Sequence, residues 1–387
     1  MTARSSSEST AIIGAGIAGL CLARELALRG TRVCVVDRAA AGALQGGNAT
    51  PASVGVLSAP RARGSPLGRL QALSRKLYPS WVRDLERESG RDVGFKVAGC
   101  LRLEWEPPPE AKRARIESSF RGAGADCGWI GQDEVRRLLP ASAAGFGAAL
   151  HVRDEATLDP PELARALAAS LRRLGAAVLD GVGEARLVLD GRLRVEVPGG
   201  EAMPDGPVVL AAGAWSGSLL GASAAELPVR PIRGQAIALR SLWEGPHLKF
   251  RPRGKERDYH VIAKGGGVVW VGSTVEDAGF DPAVTEEGIR ELVEAARVIF
   301  PEAGERDVIR AWAGLRPQAL KRGGPFVGPL PGHEGVWVHC GHYRSGILLS
   351  PLTAKLLAAQ MCGDAEAIRR EGFQPEELDA FLVDRQE

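Results

Sequence analysis

The stretch that most constrains the fold is residues 10–38, TAIIGAGIAGLCLARELALRGTRVCVVDR. Residues 11–13 form a short apolar run, which is typical of a buried strand. A glycine-rich turn and an apolar stretch with helical spacing follow, and Gly30 ends the predicted helix. Residues 31–36 predict a second strand that ends at Asp37. This order predicts the first β-α-β unit of a dinucleotide-binding fold.

Each glycine of the turn has a physical role in holding a dinucleotide. Gly14 permits the tight turn, Gly16 lets a pyrophosphate approach the backbone, and Gly19 allows the helix to pack on the strand. The helix N-terminus offers free N–H groups to the phosphates. Asp37, 21 positions after Gly16, is placed to accept the adenosine ribose hydroxyls, which argues against NADP. The alternative is a glycine turn with a purely structural role.

Two later segments bear on the choice between FAD and NAD. Residues 207–217, PVVLAAGAWSG, predict a buried strand that ends in small residues before Trp215. Small residues there let a flat ligand approach, although a plain core strand with a glycine turn has the same pattern. Residues 335–361 predict a strand, a glycine-rich turn and an apolar helix that begins at Ser350 or earlier, near Gly346. Because a helix N-terminus stabilises the negative charge of a reduced flavin, this arrangement favours FAD.

Four segments in order carry a resemblance to a known family. The glycine-rich start, the VVLAAGAWSG strand, WAGLRP at 312–317 and GHYRSGILLSP at 341–351 resemble the ThiO-type glycine oxidase branch of the D-amino acid oxidase superfamily. The order and spacing match over about residues 10–362. The resemblance implies FAD as cofactor and an α/β plus α+β fold. In that fold a discontinuous Rossmann-like FAD-binding domain is covered by a second, substrate domain with a mixed antiparallel sheet.

The resemblance also implies how the chain divides. We expect the FAD-binding domain at 8–80, 148–228 and 322–387, the substrate domain at 81–147 and 229–321, and helices at 67–89, 160–175 and 285–299.

The FAD contacts follow from the resemblance position by position. They are Gly14, Ala15, Gly16, Ile17, Ala18, Gly19, Asp37, Arg38, Thr50, Ala52, Glu184, Ala212, Gly213, Trp215, Arg344, Ser345, Gly346, Ile347 and Leu348.

Two arginines are expected on the substrate side. In the resembling family the position of Arg316 pairs with the substrate carboxylate, and an arginine fork suits that role. The alternative is that Arg316 bonds backbone carbonyls in a turn before Pro317. Arg344 is expected near substrate and flavin, with a surface turn residue as the alternative.

One departure from the family pattern affects the substrate pocket. The family places a tyrosine above the substrate, and without gaps that position is His260. A one-residue slip puts Tyr259 there instead, but slipping a strand exchanges its faces. Either residue could line the pocket. The alternative is that Tyr259 is a half-buried residue of the sheet and that His260 is a histidine at the sheet edge bonded to a loop. The departure puts glycine itself in doubt as substrate.

The expected activity is oxidative deamination of a small amino acid or N-substituted glycine. A hydride passes to the flavin, and molecular oxygen accepts the electrons and yields hydrogen peroxide. One alternative is a flavin amine dehydrogenase that passes electrons to a quinone or carrier protein. Another is a non-catalytic FAD-binding subunit of a larger complex.

Composition bounds the partners. Lys and Arg number 49 against 47 Asp and Glu, and a net charge of +2 does not suggest nucleic-acid binding. The basic run at 251–257 is interpreted as a solvated loop, with a binding patch as the alternative. The six cysteines show no metal-ligand spacing and fit a reducing compartment. We expect a cytoplasmic protein without a membrane span, and the sequence leaves open whether it forms a homo-oligomer.

Overall fold

The computed structural model describes residues 9–60, 64–140, 143, 145–189, 193–198, 206–320 and 324–384. Its α-helices are α1 (Ile17–Leu28), α2 (Ala49–Ala52), α3 (Pro66–Ser89), α4 (Glu110–Gly122), α5 (Gln132–Leu138), α6 (Pro160–Arg173), α7 (Glu286–Arg297), α8 (Gly346–Met361) and α9 (Ala365–Arg370). Short 3₁₀ helices lie at Gly213–Trp215, Gly217–Glu226, Glu305–Asp307, Tyr343–Ser345 and Pro375–Phe381.

The strands are numbered in chain order. They are β1 (Ser9–Ile13), β2 (Arg32–Asp37), β3 (Val56–Leu57), β4 (Lys96–Val97), β5 (Cys100–Glu104), β6 (Cys127–Gly131), β7 (Ala148–Val152), β8 (Ala156–Thr157), β9 (Ala177–Asp180), β10 (Arg186–Leu189), β11 (Leu193–Glu196), β12 (Val208–Leu210), β13 (Val229–Arg240), β14 (His247–Phe250), β15 (Tyr259–Gly265), β16 (Val268–Gly272), β17 (Val308–Ala319), β18 (Phe326–Pro329) and β19 (Val336–Cys340).

A six-stranded sheet forms the first half of the molecule, in the order β18-β19-β12-β1-β2-β9. Its neighbours are parallel except for the antiparallel pair β18 and β19. The chain runs from β1 through α1 to β2 on one side, while β12 lies on the other side of β1. Such a switch point leaves a crevice at the carboxyl ends of the strands, where α/β folds bind ligands. The Rossmann-like expectation is confirmed.

Helices α1, α3, α6 and α8 pack against one another in a core beside this sheet. Helix α8 begins at Gly346, so the earlier of the two expected starts is correct. Pro351 lies inside α8 and has no N–H to donate to the carbonyl of Ile347, four residues before it. The buried hydroxyl of Tyr78, on α3, donates to that carbonyl instead. The proline is therefore tolerated because a distant helix supplies the missing donor.

An eight-stranded sheet forms the second half, in the order β17-β13-β16-β15-β14-β5-β7-β6. Its neighbours are antiparallel except for the parallel pair β14 and β5. One face carries a buried apolar cluster that packs against α7, whose buried positions include Leu292 and Ala296. The other face is rich in small residues, and Gly272 and Gly314 lie there against Val54 and Ala52 of the first half.

Two elements cross the expected division of the chain into domains, and that division stays a prediction. Strand β7 starts the segment 148–228 but pairs with β5 and β6, so it belongs to the second sheet. Helix α3 continues past residue 80 to Ser89 and packs on α6 and α8, so its whole length belongs to the first half. The expected helices at 67–89, 160–175 and 285–299 correspond to α3, α6 and α7.

Candidate active site

One cavity of about 1280 Å³ is lined by residues from both sheets. Its wall includes the turn after β1, the end of β2, helix α2, the start of α8 and residues of β13, β15 and β17. The wall contains the predicted FAD contacts Gly14, Ala15, Gly16, Ile17, Ala18, Asp37, Arg38, Thr50, Ala52, Glu184, Ala212, Gly213, Trp215, Arg344, Ser345, Gly346, Ile347 and Leu348. Gly19 lies outside the lining.

The glycine turn after β1 is sterically closed to larger residues. Gly14 has a φ of +120°, and a Cβ there would overlap the carbonyl of Ala211. A Cβ on Gly19 would overlap the carbonyl of Gly14, so Gly19 acts through helix packing and not by lining the cavity. At the start of α1, the N–H of Ile17 donates to Oγ1 of Thr50 over 2.9 Å. The turn thus brings backbone N–H groups to the cavity wall.

Asp37 holds the end of β2 against this turn. Its Oδ2 accepts from the N–H of Ala15 over 2.6 Å, and its Oδ1 accepts from the N–H of Ala39 over 2.9 Å. Burial raises the pKa of the Asp37 carboxyl, while these two donors and Arg38 oppose the shift. Two oxygens with remaining lone pairs are therefore fixed at one end of the cavity.

Arg38, Glu184 and Trp215 meet at this same end. The Arg38 guanidinium lies 4.0 Å from the centre of the Trp215 ring, a cation–π distance. Its Nη1 lies 3.4 Å from Oε1 of the exposed Glu184. These contacts join three segments that are far apart in the chain.

Arg316 lies on β17 and reaches across the neighbouring strand β13. Its Nη1 donates to the carbonyls of Arg233 (3.3 Å) and Thr274 (3.1 Å), and its Nη2 donates to Oγ of Ser273 (2.6 Å). A Cβ on Gly234 would overlap the guanidinium, so only glycine permits this path. Arg316 therefore bonds backbone carbonyls, as the structural alternative held, but from mid-strand and in the cavity wall.

No carboxylate among the described residues forms an ion pair with Arg316. Burial, and then the neighbouring Arg344, lower the pKa of its guanidinium to about 10, which leaves it charged at neutral pH. Arg344 is exposed within the 3₁₀ turn Tyr343–Ser345 and also forms no ion pair in the part of the chain described. Two cations without anionic partners therefore face one end of the cavity.

His260, and not Tyr259, faces the cavity. Tyr259 is 1% exposed, lies in the apolar cluster against α7, and donates its hydroxyl to Oε1 of Glu291 over 2.6 Å. His260 is its neighbour in β15 and belongs to the cavity wall. Successive side chains of a strand point to opposite faces, so only one of the two could reach the site. Tyr259 therefore lies outside the cavity lining.

His260 leads into a buried polar chain. Its Nδ1 lies 2.6 Å from Nε2 of His247, and Nδ1 of His247 lies 3.7 Å from Oε2 of Glu155. Oε1 of Glu155 accepts from Nη2 of Arg102 and from the N–H of Ala59. The Arg102 and His247 side chains lower the pKa of Glu155 despite its burial, which opposes them. Glu155 is therefore a buried carboxylate held ionised.

The buried polar residues behind His260 include a group that could in principle ligate a metal ion. Cys100, Glu155 and His247 bring three ligand atoms within 4.8 Å of one another. The Arg102 guanidinium already forms an ion pair with the Glu155 carboxylate. Because a second cation beside it would be repelled, we assign the group to the hydrogen-bonded chain.

The predicted site residues do not include several wall residues in the basic run 251–257 and its surroundings. Arg251 and Arg257 line the cavity, as the binding-patch alternative required, and they pair with Asp258 (2.9 Å) and Glu291 (3.2 Å). Arg253 instead lies over the ring of Trp105, and Lys255 pairs with Glu294. Lys249, Asp258 and Ser273 also belong to the wall. For Lys249 and Asp258, the only signal in the sequence is that they lie on or next to β14 and β15, close to His260. Ser273 follows β16 and carries no such signal.

Among the residues described, no helix is long and apolar enough to span a bilayer.

Residues 9–360 match the sequence model of the FAD dependent oxidoreductase (DAO) family. The chain belongs to this family. A glycine oxidase of Pseudomonas aeruginosa is 34% identical over 95% of this chain and 99% of its own length. The structure of a glycine oxidase from Bacillus cereus superposes with a TM-score of 0.81 at 27% identity, covering 98% of this chain and 99% of the other. An iminodiacetate oxidase from Chelativorans superposes with a TM-score of 0.79 at 26% identity, covering 97% and 98%.

The cavity fits the cofactor of the FAD dependent oxidoreductase family. Gly16 lines the cavity, where a Cβ would meet only Oγ1 of Thr50 at 3.4 Å, so the backbone of the glycine turn is open to a pyrophosphate. Asp37 offers its carboxylate oxygens to a ribose, and helix α8 begins in the cavity wall without a side-chain cap. An uncapped helix N-terminus favours negative charge. The turn after β1, Asp37 and the start of α8 would therefore hold the dinucleotide.

Proposed function

We propose that this chain oxidises a small amino acid or N-substituted glycine, with molecular oxygen as the electron acceptor and hydrogen peroxide as product. The observation that carries the proposal is Arg316, a half-buried arginine in the wall of the FAD cavity without an anionic partner among the described residues. An arginine in that state is suited to a substrate carboxylate.

Two relatives support this substrate class. The Pseudomonas aeruginosa and Chelativorans relatives are a glycine oxidase and an iminodiacetate oxidase. Both named compounds combine an amine with at least one carboxylate. A carboxylate on Arg316 would place the α-carbon and amine of such a compound within the same cavity.

The residues divide the work of binding and charge stabilisation. FAD, when bound, would supply the redox chemistry by accepting a hydride, that is two electrons and one proton, from the substrate. Arg316 anchors the carboxylate and so fixes the orientation of the α-C–H bond. Arg344 and the N-terminus of α8 provide positive potential for the charge that develops on reduction.

An anaerobic titration tests the proposal. The yellow protein is mixed with glycine, sarcosine, D-alanine, D-proline or iminodiacetate while the flavin absorbance is followed, and air and a peroxide assay come next. We expect bleaching by one or more amines and stoichiometric peroxide on reoxidation. Bleaching without fast reoxidation would indicate a dehydrogenase with another acceptor. Absence of bleaching by every amine would contradict the proposed substrate class.

The variant Arg316→Ala tests the anchor itself. We expect kcat/KM for a carboxylated amine to fall by a factor equivalent to roughly 3–5 kcal/mol, the scale for breaking a buried ion pair. The flavin spectrum should remain, because Arg316 bonds Arg233, Ser273 and Thr274 and none of the residues that would hold the dinucleotide. A near-normal kcat/KM would show that another residue binds the carboxylate.

A further inference from the structure

The polar chain behind His260 determines which atom His260 presents to the cavity. Nδ1 of His247 and Oε2 of Glu155 are both buried, face each other at 3.7 Å, and have no hydrogen-bond partner among the described residues. A ring N–H on Nδ1 that points at the carboxylate is favourable. An unprotonated Nδ1 would instead place two hydrogen-bond acceptors against each other in a buried site without water. His247 therefore carries its proton on Nδ1 and has a lone pair on Nε2.

The tautomer of His247 determines that of His260. A separation of 2.6 Å between Nε2 of His247 and Nδ1 of His260 requires one donor and one acceptor. Since His247 supplies the acceptor, His260 supplies the N–H from Nδ1. Burial lowers the pKa of both imidazoles, that of His247 to about 4, so both rings are neutral near pH 7. A neutral ring with its proton on Nδ1 has an unprotonated Nε2.

Nε2 of His260 opens on the cavity. It has no hydrogen bond within the described residues, and it is absent from the buried atoms that lack a partner, while His260 itself lines the cavity. The guanidinium of Arg316 ends close by, because it bonds Ser273 and Thr274, and the preceding Gly272 pairs with His260. A carboxylate on Arg316 thus directs the rest of a small substrate toward this nitrogen.

We propose that Nε2 of His260 accepts a hydrogen bond from the substrate amine, with Glu155 setting the tautomer through His247. This inference rests on the proposed function for the identity of the ligand. It specifies the substrate class further: the amine must retain an N–H in its neutral form. Primary and secondary amines meet this condition, and tertiary amines do not. His260 is the residue that touches substrate, while His247 and Glu155 are positioning residues.

The first test reads the tautomer without any substrate. In the ¹⁵N spectrum of the FAD-loaded protein, assigned by comparison with His260→Phe, we expect an unprotonated Nε2 and a protonated Nδ1 on His260. In Glu155→Gln the side-chain amide can donate to His247, which reverses both rings, so Nε2 of His260 should become protonated. A protonated Nε2 in the unaltered protein would overturn the proposal whatever the enzyme oxidises.

The second test compares sarcosine, which keeps one N–H, with N,N-dimethylglycine, which has none when neutral. We expect the unaltered enzyme to prefer sarcosine in kcat/KM by about 10- to 100-fold, the scale of one hydrogen bond to a buried group. In His260→Phe, a planar ring without the acceptor, the preference should collapse. An unchanged ratio in the variant would overturn the proposal.

Acetate binding, followed by the flavin spectrum, is the control, since it needs only Arg316 and should be equal in both proteins. If acetate binds but no amine reduces the flavin, the proposed function fails while the nitrogen spectrum still decides the tautomer.

Discussion

At the residue scale, the proposed substrate end of the cavity depends on a glycine, Gly234, at a position where any side chain would block Arg316. Arg316 can cross from β17 to Ser273 only because Gly234, on the intervening strand, has no Cβ. Gly234 pairs with Gly314 in the sheet, so two adjacent strands leave this face open. The arginine is consequently fixed by backbone carbonyls and one hydroxyl, and its charge remains available to a ligand.

The variant Gly234→Ala should therefore disable the anchor without touching substrate. The added methyl overlaps the guanidinium and displaces it, and a displacement of about 1 Å can cost about 100-fold in rate. We expect such a loss in kcat/KM with the flavin spectrum retained. The control is Gly131→Ala, where a Cβ meets no atom within 4 Å. Normal kinetics for Gly234→Ala would show that Arg316 works from another position.

At the element scale, helix α8 links cofactor binding to the packing of the first half. Its first turn lines the cavity, and its remaining length is buried against α1 and α3. Pro351 leaves the carbonyl of Ile347 without its usual helical donor, and Tyr78 supplies one. The position of the α8 N-terminus is thus set partly by α3.

Removing that hydroxyl in Tyr78→Phe should lower the free energy of unfolding. A buried carbonyl left without a donor costs about 1–3 kcal/mol. Denaturant titration of the FAD-loaded protein measures the change. The matched control on the same helix is Ser80→Ala, whose exposed hydroxyl bonds Leu77 and should change stability by less than about 0.5 kcal/mol. Equal effects of the two variants would contradict the role given to Tyr78.

At the scale of the whole molecule, buried histidines link stability to pH, and His247 and His339 are two of them. His247 lies in the second half, and His339 connects β19 with α1 and α8 through Ala18 and Thr353. Burial lowers the pKa of each to about 4. In the unfolded chain histidine titrates near 6.5, so unfolding takes up protons below that pH.

We therefore expect stability to be complete above pH 6.5 and to fall as the pH approaches 4. A depression of this size corresponds to roughly 3 kcal/mol for each histidine at the acid end. Thermal unfolding at saturating FAD, in steps from pH 7.5 to 4.5, measures the fall. His339→Gln should be less stable at pH 7 but show a shallower decline. A flat profile for the unaltered protein would contradict the buried neutral state of these residues.

Much of the nucleotide site could be predicted because its signals are local. The β-α-β unit lies within 29 consecutive residues, and glycine spacing, helical periodicity and the terminal Asp37 are all readable there. Most of the FAD contacts that the family resemblance predicts lie in the cavity wall. Gly19 is the exception, and it supports the turn from behind.

The substrate end could be predicted only in part. The sequence predicts Arg316 and His260 as site residues. It also leaves Tyr259 as a candidate, because sequence alone does not reveal which face of β15 is turned to the cavity. Glu155 and His247, which set the state of His260, carried no motif. His247 meets His260 because β14 pairs with β15, and it meets Glu155 because β5 brings β14 close to the end of β7, which Glu155 follows.

The sequence by itself determined the cofactor class, the family and the order of the main elements, since these depend on spacing along the chain. The tertiary structure decided the start of α8, the sheet that holds β7, the inward turn of Arg251 and Arg257, and the partners of His260. Each of these depends on strand register or on packing between segments that are not adjacent in the chain. Such contacts are settled by the fit of surfaces, which local propensity does not encode.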